Sequence, residues 1–259
     1  MQTKKNLDTQ GTRDAPRQSK ENIYMKPQDA DKKKFEEAKQ ESFTKLRMKN
    51  QVPLIHRAFE RGFISPFGPM IGKTMMPHDL VKYMKVGMGK TTKDFGHNLA
   101  GVIKDQPVFD GNTGKKAIDK LGKFIEEYHH RCTLSSSVGI YQVDGKHDIE
   151  LVDGWYVSQT AGEYNPMHSH PGCLFSCVGY LEVPKQIADP EDEWSSEGCI
   201  EFSYGTPSSL NNSSLMFRPQ VGDFYIFPGW LNHAVYPFKG EGLRSSFSMN
   251  LIMTMEEKK

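Results

Sequence analysis

The chain has 259 residues, enough for one large domain or for one domain with an appendage. Its 33 basic and 32 acidic residues nearly cancel, which argues against nucleic acid or a membrane surface as a main partner. No run approaches the length of a transmembrane helix and the N-terminus lacks the apolar core of a secretion signal, so a cytoplasmic protein is expected.

Residues 1–50 carry thirteen Lys or Arg against eight Asp or Glu, and few branched apolar side chains. Such a segment buries too little surface to offset the entropy of ordering. A charged arm is expected there, disordered or helical, either solvated or in contact with an acidic partner. Residues 51–135 form the expected support region. Its first part, to residue 75, is broken by Gly62, Pro66, Gly68, Pro69 and Gly72 and predicts an irregular strand with turns. Pro77 followed by His78–Met84 predicts the first turns of a short helix. Gly87-Met88-Gly89-Lys90-Thr91 imitates the end of a phosphate-binding loop, but Met84 stands where the first glycine is required. A firmer helix is predicted over Lys115–His130, with Ile118, Leu121, Ile125 and Tyr128 on one stripe and His129 and His130 closing its C-terminus.

After residue 135 short segments rich in β-branched and aromatic residues alternate with turn residues. They fall near Val138–Val143, Ile149–Gln159, Cys173–Val183, Cys199–Tyr204, Leu215–Arg218, Asp223–Phe227, His233–Phe238 and Leu243–Ile252. Strands without helical interruption predict a mostly β fold, a jelly-roll barrel over 136–259 with the earlier helices covering one sheet. Two long polar connections, Ala188–Gly198 and Gly205–Ser214, are candidates for a lid. The four cysteines follow no zinc-knuckle spacing and read as reduced thiols.

The chemistry sits in this second half. His168 and His170 are two residues apart, a spacing that puts both imidazoles on one face of a strand, and His233 follows 63 positions later. Three imidazoles suit Zn, Fe, Cu or Ni and leave coordination positions open, as an enzyme needs and a structural zinc does not. Arg244, Ser246, Ser248 and Asn250 share one face of the last strand, opposite Phe247, Met249 and Leu251. Burying that polar row is costly unless something pairs with it, and a carboxylate held by the Arg244 fork and the Ser246 hydroxyl would do so.

These residues carry a resemblance. The run Asn165-Pro166-Met167-His168-Ser169-His170-Pro171, the strand Ser176–Leu181, the run Phe227-Pro228-Gly229-Trp230-Leu231-Asn232-His233 and Arg244–Asn250 resemble the Fe(II)- and 2-oxoglutarate-dependent oxygenases. More narrowly, they resemble a group of that superfamily common in marine phages. The likeness covers about residues 150–253. It implies a double-stranded β-helix, with Fe(II) bound by His168, His170 and His233, and 2-oxoglutarate held through its distal carboxylate by Arg244 and Ser246. Tyr180 and Asn165 are further candidates for hydrogen bonds to the co-substrate. The implied reaction consumes O2 and 2-oxoglutarate, yields succinate and carbon dioxide and hydroxylates a C–H bond; a protein or peptide side chain is the first substrate to consider. His170 departs from the pattern, because the usual second ligand is Asp or Glu.

Cupins share the barrel and the spacing from Gly162 to His168, and their second element is nearly met by Gly222, Pro228 and His233, with Trp230 where its second glycine belongs. Their glutamate is missing, since Leu174 and Phe175 occupy its place, and they have no required role for Arg244. A three-histidine zinc hydrolase and a metal-free interaction module are the remaining alternatives.

Overall fold

The computed structural model describes residues 62–64, 68–91, 93–96, 99, 101–135, 147–209 and 212–255. The arm expected over 1–50, the segment 51–61 and the strand expected at Val138–Val143 lie outside them.

In chain order the elements are β1 (Gly62–Ile64), β2 (Ile71–Met75), α1 (His78–Met88), α2 (Gly111–Ser135), β3 (His147–Gln159), β4 (Asn165–His168), β5 (Phe175–Glu182), α3 (Lys185–Ala188), β6 (Ile200–Ser203), β7 (Ser214–Phe217), β8 (Asp223–Pro228), β9 (Asn232–Val235) and β10 (Arg244–Met255). They make two antiparallel sheets, one ordered β1-β2-β8-β5-β10-β3 and the other β4-β9-β6-β7. This is a double-stranded β-helix, as expected. Two strands that precede residue 136, β1 and β2, join the larger sheet at β8, so the support region supplies strands as well as helices.

The central strands of the larger sheet are covered on both faces, and period two sorts their side chains. Phe175, Cys177 and Leu181 of β5, Phe224 and Ile226 of β8 and Phe247, Met249 and Leu251 of β10 meet the helices in one core. Val178 and Tyr180 of β5 and Tyr225 and Phe227 of β8 meet Ile200, Phe202, Leu215 and Phe217 of the smaller sheet in another. Each fully buried Phe contributes about 1.5–3 kcal/mol through burial. Gly179 has to lack a side chain, because a Cβ there would strike the Phe247 ring and lie 2.9 Å from the Met76 sulfur.

Helix α2 covers this sheet through Ala117, Leu121, Ile125 and Tyr128, at steps of four, four and three. Asp110 Oδ1 accepts from the Thr113 amide at 2.7 Å at its start. The helix runs five residues beyond the expected end. His129 and His130 are therefore not its closing residues, and the His129 ring packs edge-on to Phe175 with centroids 5.8 Å apart. Packing against the sheet extends the helix past the point where the local signal fades.

The acidic connection Ala188–Gly198, one of the two candidates for a lid, is tied down by side-chain hydrogen bonds. The buried Arg218 donates to the carbonyls of Ile187 at 2.9 Å, Glu193 at 3.2 Å and Ser195 at 2.7 Å. Among the described residues no helix is long and apolar enough to cross a membrane. Four free cysteines are present among them, Cys177 and Cys199 buried and Cys132 and Cys173 half-buried.

Candidate active site

Strands β4 and β9 place two of the three histidines directly opposite each other: His168 and His233 are register partners across the ladder. His233 also faces Phe202 of β6. The turn before β4 is set by Gly162 at φ +81°, a conformation that favours glycine, and by Glu163, whose carboxylate accepts from the Thr160 amide at 2.8 Å. His170 arrives differently from the expectation. It lies two residues past the end of β4, and its own amide, donating to the Gly229 carbonyl at 2.7 Å, holds it against the turn between β8 and β9. Same-face strand geometry is thus not what brings the pair together.

One ligand atom from each of His168, His170 and His233 lies within 4.8 Å of the others. The Nδ1 of His168 is 2.8 Å from the Pro166 carbonyl, and the Nδ1 of His233 is 2.9 Å from that of Leu231. Since a carbonyl only accepts, Nδ1 carries the proton and donates in both rings, leaving Nε2 with its lone pair free. Burial lowers all three pKa values below the ordinary imidazole range, that of His170 to about 4. Three neutral, converging imidazoles could hold a metal ion.

Arg244 is 1 % exposed and opens β10 opposite Gln159, the last residue of β3. Its Nε donates to the Gly198 carbonyl at 3.0 Å, Nη1 to the Gln159 side-chain oxygen at 3.0 Å and Nη2 to the Tyr180 hydroxyl at 3.1 Å. All three partners are neutral, and among the described residues no carboxylate forms an ion pair with it. A buried cation without a counter-charge is expensive, and an anionic ligand would relieve it.

The histidines and the arginine line one pocket together with Asn165, Ser246 and Ser248. Asn250 is not part of that lining, and its Oδ1 is buried without a hydrogen-bond partner; the ladder to β3 shifts register between Asn250 and Leu251. The Asn165 Oδ1 is likewise buried and unpartnered inside the pocket. Tyr180 is fully buried and does not line the pocket; it meets the site through Arg244, and burial pushes its pKa to about 12, so its hydroxyl stays protonated. Gln159 and Leu99 escaped the sequence reading. Gln159 becomes identifiable only once its strand register against Arg244 is known, and nothing in the sequence singles out Leu99.

Residues 153–250 match a family model described as "Putative 2OG-Fe(II) oxygenase". No curated protein sequence matches the chain. Solved structures similar to the chain include a prolyl-4-hydroxylase from Pseudomonas putida, 14 % identical over 70 % of this chain and 91 % of that one, TM-score 0.45. Another is the viral collagen prolyl hydroxylase of Paramecium bursaria Chlorella virus-1 in complex with 2-oxoglutarate, 16 % identical over 70 % and 94 %, TM-score 0.45. A third is HygX from Streptomyces hygroscopicus with nickel, 2-oxoglutarate and hygromycin B, 11 % identical over 72 % and 83 %, TM-score 0.47.

Proposed function

We propose that the chain is an oxygenase using Fe(II) and 2-oxoglutarate, a reading supported by the match of residues 153–250 to the 2OG-Fe(II) oxygenase model, and that it hydroxylates a protein or peptide side chain. We assign His168, His170 and His233 as the iron ligands and Arg244 with Ser246 as the anchor of the co-substrate's distal carboxylate. We further assign residues 136–259 as the catalytic core, 51–135 as its support and 1–50 as a separate arm.

The observation that carries the reading is the buried cation of Arg244, without a carboxylate partner among the described residues, in the same pocket as three neutral imidazoles. A dicarboxylic acid reaching from one to the other answers both needs. Bound there, Fe(II) with 2-oxoglutarate and O2 supplies an oxidative decarboxylation that gives succinate and carbon dioxide and transfers one oxygen atom to the substrate. The chain's own part is geometric and electrostatic. The carbonyls of Pro166 and Leu231 fix the tautomer and direction of two ligands. Arg244 orients the co-substrate, while Tyr180 and Gln159 hold the guanidinium in place. Leu99, Trp155, Val157 and Ile200 make the walls apolar and keep water away from the reacting centre. The Asn165 carbonyl oxygen, buried and unpartnered, is available to accept a hydrogen bond from a ligand in the pocket.

The half-exposed Met167, Tyr204 and Trp230 support a bulky substrate. Met167 precedes His168, Trp230 follows the glycine that holds His170, and the Tyr204 and Trp230 rings lie 5.8 Å apart.

The test is an anaerobic titration with Fe(II) and 2-oxoglutarate, followed by a weak visible charge-transfer band and by succinate release on admission of oxygen. Metal uptake without 2-oxoglutarate binding would favour a cupin instead. Candidate peptides are then scored by the mass of one added oxygen atom.

A further inference from the structure

The three imidazoles are not held alike. His168 and His233 each have Nδ1 fixed by a backbone carbonyl, at 2.8 and 2.9 Å. Neither ring nitrogen of His170 has a hydrogen-bond partner among the described residues. Its ring lies against the rings of His168 and His233, with centroids 5.0 and 5.2 Å away, and, outside the three histidines, against Trp155, 3 % exposed, with centroids 5.7 Å apart and planes tilted by 45°. Trp155 is backed in turn by Phe95, at 5.1 Å between centroids, within a small apolar cluster of Ile103, Trp155, Val157, Phe95 and Leu99. That cluster includes Ile103 of the strap before α2, which runs antiparallel along β3 through bridges from Asp105 to Ser158 and from Val108 to Trp155.

An imidazole fixed by a carbonyl has one tautomer and one direction, whereas an imidazole held only by packing can rotate when its neighbour moves. We infer that Trp155 is the positioning residue of His170, and that His170 is the labile member of the three ligands. The inference rests on the proposed metal site and adds a division of labour within it. Two ligands are locked by the backbone of β4 and the β8–β9 turn, and the third is steered by an indole that the strap presses into place.

The experiment uses Co(II) on the full-length chain, with binding followed by equilibrium titration and by the visible d–d spectrum, which reports the number and type of ligands. Trp155→Ala is expected to weaken Co(II) binding roughly tenfold to a hundredfold, the range for losing a residue that orients a ligand, and to shift the spectrum toward that of His170→Ala. In the Trp155→Ala/His170→Ala pair the indole change should cost nothing further, whereas in a His233→Ala background it should still cost its share. Trp155→Phe should restore most of the affinity. Equal cost with and without His170, or Co(II) binding by Trp155→Ala indistinguishable from the unaltered chain, overturns the inference while leaving the metal site standing. Failure of the unaltered chain to bind Co(II) overturns both. Should Trp155→Ala not fold, Phe95→Ala takes its place. A loss of affinity that vanishes in the His170→Ala background supports the inference, and a loss equal in both backgrounds, or none, overturns it.

Discussion

Arg244 and Tyr180 are joined twice: Nη2 donates to the tyrosine hydroxyl at 3.1 Å, and the guanidinium carbon lies 4.9 Å from the centre of the same ring. The contact combines a charge-assisted hydrogen bond with a cation–π attraction, both strengthened by burial. It keeps the guanidinium aligned at no cost in net charge, because the partner is neutral. The guanidinium is therefore held in a fixed direction without being neutralised.

Arg244→Leu should abolish 2-oxoglutarate binding and leave metal uptake nearly intact. Truncating one member of a buried charge pair costs about 2–5 kcal/mol, roughly thirtyfold to several thousandfold in Kd. Isothermal titration of the metal-loaded variant measures it, and unchanged affinity would remove Arg244 from the site.

Tyr180→Phe should have a smaller effect. The packing is kept, but one guanidinium N–H loses its acceptor, a loss of about 1.5–3 kcal/mol for a bond to a charged group. Thermal unfolding should show the destabilisation, and the Kd for 2-oxoglutarate should rise several-fold. A variant as stable as the parent would mean that water replaces the hydroxyl.

The metal-free protein should lose stability as pH falls below about 6.5. Burial depresses the pKa of His168, His170 and His233, that of His170 to about 4, from an ordinary 6.5. Between those values the unfolded chain binds more protons than the folded one, so the stabilisation is complete above 6.5 and is lost as pH falls toward 4. Asp223, whose pKa burial raises above 3.8, acts with the opposite sign at the bottom of this window. Melting temperatures across a pH series test the claim, and a flat profile down to pH 5 would contradict it.

Gly179→Ala should destabilise the fold by about 1–3 kcal/mol, the usual cost of overpacking. The added methyl would meet the Phe247 ring and the Met76 sulfur. Denaturant unfolding gives the figure, and a companion Phe247→Leu change should recover part of it.

Much of the fold was legible because period two survives in the sequence. On β10, Ser246 and Ser248 alternate with Phe247 and Met249, and the pocket takes one set while the helical core takes the other. The segment 62–75 was harder. Glycines and prolines break it, and β2 exists because β8 offers it a hydrogen-bonding edge, from Gly72 opposite Ile226 to Met75 opposite Asp223. The end of α2 was hidden for a related reason, since its last turns depend on neighbours rather than on propensity.

At the site, residue types and spacing alone pointed to a histidine cluster and a carboxylate-binding arginine, because neutral imidazoles and a guanidinium fork have few other joint uses. Tertiary structure decided what holds them. It set His168 across the ladder from His233, brought His170 in from beyond its strand through the Gly229 carbonyl, and placed Gln159 and Tyr180 around Arg244. Those are contacts between residues far apart in the chain. Side-chain chemistry is written locally, whereas register, burial and the absence of a counter-charge come into being only when distant strands pair.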